Sequence, residues 1–239
     1  MTASHNLNIY VHLSKKTQQT EMPKETFHKL NAAKKEAFTE AFLYEFSHRS
    51  YEEASISSVV KSLGIAKGSV YQYFEDKLDL LLYLKEQCEL VKMEYIMHVK
   101  RADFPDFWSY YRAIYAEGVK FDIEHPLKGR LLYNIANSSH APALKEVFET
   151  WKSKALIMLG AMIQEEVDRG NFRNDVPVET MAHFLYSVSS SIGEYMKTIH
   201  AVDFEANLKA DLPLLAGKKK VLLQSIDESI LLLKRAFNN

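Results

Sequence analysis

Cysteine is almost absent: Cys88 is the only one in 239 residues. A single thiol forms no intramolecular disulfide and cannot build a cysteine-rich zinc centre, and it suits a reducing cytoplasm. Glycine and proline are scarce too, at eight and six. The sequence contains no phosphate-binding glycine loop, no nucleophile elbow and no close set of metal-type His, Cys and carboxylate residues. The nine histidines are scattered, and His98, His125, His140, His183 and His200 read as surface or hydrogen-bonded core residues. No catalytic residue, metal site or cofactor is assigned, and the chain is not expected to be an enzyme. Neither sign of charge dominates, since 30 Lys and Arg against 31 Asp and Glu leave a formal net charge of −1. That excludes a uniformly basic nucleic-acid coat and leaves only a local basic patch for such a partner. No run of about 18 apolar residues occurs, and the N-terminus lacks a basic-led apolar stretch with a cleavage site, so neither export nor a membrane span is expected.

What is present is a chain 47% hydrophobic and 26% charged, ordinary for a globular protein and long enough to bury a real core. From Lys24 onward apolar residues recur at three- and four-residue spacing, which makes the fold class all-α. The first strong helix is predicted over about 29–47, with Ala33, Phe38, Ala41, Phe42 and Phe46 on one side and Lys34, Lys35, Glu36 and Glu40 on the other. A short helix should open at Ser55, whose hydroxyl can cap the first turn, and end at Gly64. A third is predicted over about 66–73, and a fourth from near Asp76 to about 100. Further helices are expected at about 106–122, 127–138, 141–169, 178–200 and 217–237, separated by breaks that include 201–216. Residues 1–22 are polar and aperiodic and read as a disordered or artefactual tail.

The segment from Ser55 to Phe74 is the informative one. Ile56, Val59, Val60, Leu63, Ile65, Val70 and Phe74 can knit two short helices into a small core, while Gly64 permits the reversal between them. Lys67, Ser69, Gln72 and the two tyrosines Tyr71 and Tyr73 are then left facing outward, on a helix whose first turn offers free N–H groups and a positive dipole end. Those are groups that DNA recognition uses. Lys15 and Lys16 in the tail leave open an arm that adds a DNA contact.

This run resembles the tetracycline-repressor family of bacterial regulators. The resemblance rests on the Ala- and Phe-bearing first helix, Tyr51, Ser55-Ile56, the segment Lys67-Gly68-Ser69-Val70-Tyr71-Gln72-Tyr73-Phe74, and the following Glu75-Asp76-Lys77-Leu78-Asp79-Leu80-Leu81. Asp168 to Asp175, followed by an apolar helix, is similar to the family's bridge to its first dimerisation helix. Ser50, Ala54 and Ala66 depart from the family pattern, which removes two possible capping or phosphate-contact groups. The resemblance implies that Ser55 caps its helix and touches a phosphate, that Tyr73 and Lys77 hold flanking phosphates, and that Gly68 permits close backbone approach. Lys67, Ser69, Tyr71 and Gln72 would then meet the major groove. Gln72 would be the foremost base reader, because its amide can pair bidentately with adenine, and Lys67 could instead reach guanine.

The same resemblance implies residues 23–76 as a helix-turn-helix DNA-binding domain, joined through the long fourth helix to a ligand-binding and dimerisation domain over 77–239. The helices near 178–200 and 217–237 would form a four-helix bundle with a second copy. A two-fold dimer places two recognition helices about one DNA turn apart and doubles the readable site. Aromatic residues crowd the middle of the chain, and ordinary core packing accounts for most of them. Should a small apolar ligand be sensed there, Trp108, Tyr111, Tyr115, Tyr133, Asn137, Trp151 and His183 are the candidates to line its site. The expected activity is that of a cytoplasmic, nucleoid-associated, sequence-specific repressor released by such a ligand. An activator without an effector, or a helical protein-binding adaptor, fits the same residues.

Overall fold

The computed structural model describes residues 23–138 and 141–239; the expected tail over 1–22, with Lys15 and Lys16, lies outside the described residues, as does His140. Eleven α-helices account for nearly all the regular structure among the described residues: α1 Glu25–His28, α2 Ala32–His48, α3 Ile56–Ser62, α4 Lys67–Tyr73, α5 Lys77–Ile96, α6 Phe107–Glu124, α7 Pro126–Ala136, α8 Lys145–Asp168, α9 Val178–Thr198, α10 Phe204–Lys209 and α11 Lys219–Phe237. The one β-type pairing among them is an isolated bridge between Phe172 and Asn238. No helix of the described residues is long and apolar enough to cross a membrane.

Local chemistry sets the boundaries. Asn31, Asp76, Asp106 and Asp203 each stand just before a helix and accept, with a side-chain oxygen, the first-turn amide three residues on, at 2.9, 2.9, 2.7 and 2.8 Å, each cap contributing about 1 kcal/mol. The Asn31 cap starts α2 later than periodicity predicts. α7 opens on Pro126 itself, because a first-turn residue needs no amide hydrogen. A 3-10 turn over Pro142–Leu144 delays α8 to Lys145. The stretch 201–216, expected as a break, contains α10.

Two apolar cores form. The first gathers Phe38, Phe42 and Phe46 of α2, Val59 and Val60 of α3, Val70 and Phe74 around α4, Leu80 and Leu84 of α5, and then Leu131, Leu132 and Ile135 of α7. The second joins Phe107, Trp108 and Tyr111 of α6 to Phe172, Leu185 of α9 and Leu222, Ile226 and Phe237 of α11. The first core therefore runs past residue 76, where the helix-turn-helix unit was expected to end, and takes in one face of α7.

Polar seams fasten the same elements. The Arg130 side chain of α7 is fully buried; its Nη1 bonds to His48 Nε2 at the end of α2 at 2.8 Å. Its Nη2 donates to the carbonyls of Asn207, at 3.2 Å, and of Leu212. Asn134, one turn on, donates to the Ser47 carbonyl at 3.1 Å. In a second seam Glu166 of α8 is 1% exposed and receives Arg101 Nε and Nη2 at 2.8 and 3.1 Å, Arg169 Nη1 at 2.7 Å and Asn171 Nδ2 at 2.8 Å. It pins the turn after α5 to the bridge between α8 and α9.

Burial alone would raise the Glu166 pKa, but hydrogen bonds from Arg101 and Asn171 and the charges of Arg101 and Arg169 outweigh it and hold the carboxyl below its usual value. A depressed folded-state pKa means the contribution is present above the unfolded value and lost as pH falls through the folded one. Glu166→Gln should therefore destabilise the fold at pH 7 by about 3 kcal/mol in urea unfolding. The gap to the wild type should narrow below about pH 4, and a gap that does not depend on pH would show that the carboxylate charge is not what stabilises this seam.

Candidate nucleic-acid interface

The surface expected to read DNA is built by α3 and α4. Ser55 stands in extended backbone, φ −115° and ψ 106°, and its Oγ accepts the Ser58 amide at 3.3 Å, while its own amide is held by Glu45 Oε1 of α2 at 2.8 Å. The turn that follows is set by Gly64 at φ +67°, a left-handed position that a side chain would strain. The Gly64 amide returns to the Lys61 carbonyl at 3.3 Å and that of Ile65 to the Val60 carbonyl at 3.0 Å, the paired bonds of a Schellman stop. Only Ile65 and Ala66 then separate the turn from α4.

α4 is seven residues long. Val70 and Phe74 are completely buried, and that fixes its rotation. Lys67, Gly68, Tyr71 and Gln72 are exposed, Tyr71 by 43%, and Ser69 and Tyr73 are half-buried. A Cβ added at Gly68 would meet nothing within 4 Å, so no internal neighbour requires glycine there and the backbone is open to close approach from outside. Neither Lys61 nor Lys67 has a partner among the described residues, which leaves two free cations on this side.

Lys77 is placed differently from its neighbours. Its Nζ lies 4.7 Å from the Tyr51 ring centroid and donates to the Glu52 carbonyl at 3.3 Å. Burial pulls its pKa down, opposed by the charges of Glu52 and Glu45. Tyr73 rests its ring on Phe27 and Phe38, at 5.7 and 5.6 Å. Sequence periodicity singles out none of Lys24, Thr26 and Phe27, yet all three lie against α4: Lys24 and Thr26 hydrogen-bond its carbonyls and Phe27 packs at a tilt against Phe74. A four-residue helix is too short to show a period, and no signal in the sequence would have found it.

The seven residues considered for ligand binding are not brought together. Trp108 lies within the second core, edge-on to Phe237 at 5.6 Å, and its Nε1 donates to Asn238 Oδ1 at 2.9 Å. Tyr111 and Tyr115 are adjacent, with ring centroids 5.1 Å apart; the Tyr111 hydroxyl is 2.6 Å from Ser189 Oγ, and Tyr115 donates to the Ser189 carbonyl at 3.3 Å. They border a cavity of about 10 Å³ together with Ile192, Ile226 and Leu233, room for about one water. Tyr133 packs on Phe204 at 5.3 Å under Lys197. Asn137 is exposed and turns back to the Tyr133 carbonyl at 2.8 Å, while Trp151 borders the first core beneath Lys85. His183 sits on the open face of α9, in a shallow hollow of about 500 Å³ with Glu179, Phe184 and Ser187.

Comparison with known proteins agrees with this geometry. Residues 39–84 match the family described as bacterial regulatory proteins, tetR family. The chain is 24% identical over 148 residues to the HTH-type transcriptional repressor AcnR of Corynebacterium glutamicum, covering 60% of this chain and 71% of that protein. Its fold is similar to that of a TetR family transcriptional regulator from Chloroflexus aurantiacus, with a TM-score of 0.69, 25% identity, and coverage of 91% of this chain and 99% of the other. It is similar in fold also to SmeT, solved as a complex with triclosan, with a TM-score of 0.58, 14% identity, and coverage of 87% and 92%. A matched segment that spans the outward-facing α4, in a frame whose described residues are helical, makes the chain similar to the tetR family of bacterial regulatory proteins over residues 39–84 and in fold over most of its length.

Proposed function

We propose that the protein is a sequence-specific repressor that binds operator DNA as a homodimer and is released by a small apolar ligand, residues 23–76 doing the reading and 77–239 the pairing and sensing. The observation that carries the DNA assignment is the division of α4. Val70 and Phe74 are sunk in the core, and Lys67, Gly68, Tyr71 and Gln72 are left on the outside. Ser55 and Ser69 stand close enough in sequence to the two helix starts to meet phosphate. Tyr73 and Lys77 would leave their present partners to do the same. The repressor sign is supported by AcnR, a repressor by name.

Dimerisation is proposed through α9 and α11. α9 carries Phe184, 49% exposed, and Tyr195 on the same side as Ser187 and Ser191, and α11 presents Leu231 and Leu232 at 57% and 68%. Large apolar residues with small ones between them suit close helix approach across a two-fold axis. For the ligand, the support is the Tyr111, Tyr115 and Ser189 group inside an otherwise apolar core and the ligand complex of a fold relative. At about 10 Å³ the present space is far below the roughly 300 Å³ of an organic ligand site, so binding must push α6 away from α9 or α11. α6 packs on α5, and α5 runs without a break from the foot of the reading unit; displacement there alters the spacing of the two recognition helices.

Gln72→Ala should weaken binding to an operator duplex by about 1–3 kcal/mol while leaving binding to unrelated DNA unchanged, both followed by fluorescence anisotropy across a salt series. Equal loss on both duplexes would make Gln72 a backbone contact. Leu232→Glu should yield a monomer in sedimentation velocity and lower operator affinity on the order of a hundredfold; a dimer that persists would place the interface elsewhere. Operator affinity measured against a panel of apolar compounds should fall for at least one, and identical values throughout would remove the sensing role.

A further inference from the structure

We infer that Lys24 and Thr26, anchored by Phe27, are positioning residues for DNA reading: they hold the last turn of α4 and thereby fix the direction in which Tyr71 and Gln72 leave the helix. The inference rests on the reading of α4 as the recognition helix. It concerns residues that precede the segment 39–84 matched to the family.

The starting point is how little holds α4 by itself. Seven residues fall well short of the roughly 12–15 that an isolated helix needs. Ala66 at its start offers no side-chain acceptor, so its first turn is uncapped. Its other end also has a requirement, because the final four carbonyls of a helix have no partner within it. Here each is accounted for. The Val70 carbonyl takes the Phe74 amide at 2.8 Å and the Tyr73 carbonyl takes the Lys24 amide at 2.8 Å. The Tyr71 carbonyl takes Lys24 Nζ at 3.2 Å, and the Gln72 carbonyl takes the Thr26 hydroxyl. Three of the four are thus closed by residues 24–26, more than forty positions away in sequence.

The clamp is itself anchored. Phe27 is 1% exposed, and its ring lies 5.2 Å from Phe74, 5.5 Å from Phe38 and 5.4 Å from Tyr83. The Phe27 amide returns to the Lys24 carbonyl at 2.9 Å, so the two hydrogen-bonding residues are tied to a side chain that cannot leave without opening the core. Lys24 Nζ also pairs with Glu75 Oε2 at 2.7 Å, but both groups are largely exposed and that contact adds little.

Two of the carbonyls held are those of Tyr71 and Gln72, the residues that would meet base edges, and the third is that of Tyr73, which would hold a phosphate beside them. A bidentate amide contact demands a defined approach, whereas a phosphate contact tolerates a moving cation. Loosening the last turn should therefore cost discrimination between sequences and spare general attraction to DNA.

Thr26→Val keeps the branched shape and removes only the hydroxyl; Thr26→Ser keeps the hydroxyl. The probes are a duplex selected by the wild-type protein from a random pool, and poly(dI-dC) as the nonspecific competitor. In Thr26→Val, affinity for the selected duplex should fall about threefold to tenfold, the effect expected of one hydrogen bond, with poly(dI-dC) binding and its salt slope unchanged. Thr26→Ser should restore it to within about twofold. Hydrogen exchange of the amides of residues 71–74 should quicken in Thr26→Val while α2 and α5 stay protected. An unchanged preference for the selected duplex overturns the inference, as does equal loss on both DNAs together with a general loss of protection. If the wild type selects no duplex, the DNA reading itself fails, and hydrogen exchange still decides whether Thr26 holds the turn.

Discussion

A helix of seven residues has no stability to speak of until something buries one side of it, and in this protein Val70 and Phe74 do so completely. Each buried side chain of that size contributes roughly 1.5–3 kcal/mol. They also fix the rotation of α4 about its axis. With those two positions turned in, Lys67, Gly68, Tyr71 and Gln72 have nowhere to go but out. The chemistry proposed toward DNA and the burial toward the core are therefore one constraint, set by the spacing of two apolar residues.

The reading unit is joined to the rest along two lines. One is covalent and straight: α5 leaves the turn after α4, capped by Asp76, and runs through to Ile96. The other is a packed seam, in which α7 lays Leu131, Leu132 and Ile135 into the same core as Phe42 and Phe46. Arg130 and Asn134 bond to the last turn of α2. Arg130 reaches further, to the carbonyls of Asn207 and Leu212 at the far end of α10, the segment that links the two helices proposed to pair subunits. A single guanidinium carried by α7 thus touches the end of α2 and the α9–α11 connection.

Much of this was legible in the sequence because it depends on short-range rules. Ser55 as a cap, Gly64 as a left-handed stop and the apolar positions of α3 and α4 each follow from neighbours a few residues away, and Tyr71 and Gln72 follow from them by exclusion. Less legible was anything that depends on distant partners. Lys77, a phosphate-contact candidate, lies over Tyr51 in the free protein, a placement that no neighbouring residue indicates because nothing local says which way a long flexible side chain will lean. The aromatic residues proposed around a ligand are distributed between two cores, because helical periodicity tells which face is buried and not which neighbour buries it. The α1 segment is too brief to show a period, and the Arg130 seam is hidden because an arginine in a helix ordinarily predicts exposure.

The continuity of the first core has a consequence for how such regulators diversify. Were the reading unit closed at residue 76, it could be exchanged between relatives as a free module. Because α2 shares a core with α7 and ends on Arg130 and Asn134, a transplanted head would bring a mismatched floor with it. If α4 reads DNA as proposed, a new operator is more readily acquired by altering its outer face than by shuffling whole heads, and any successful graft should carry the matching side of α7 along.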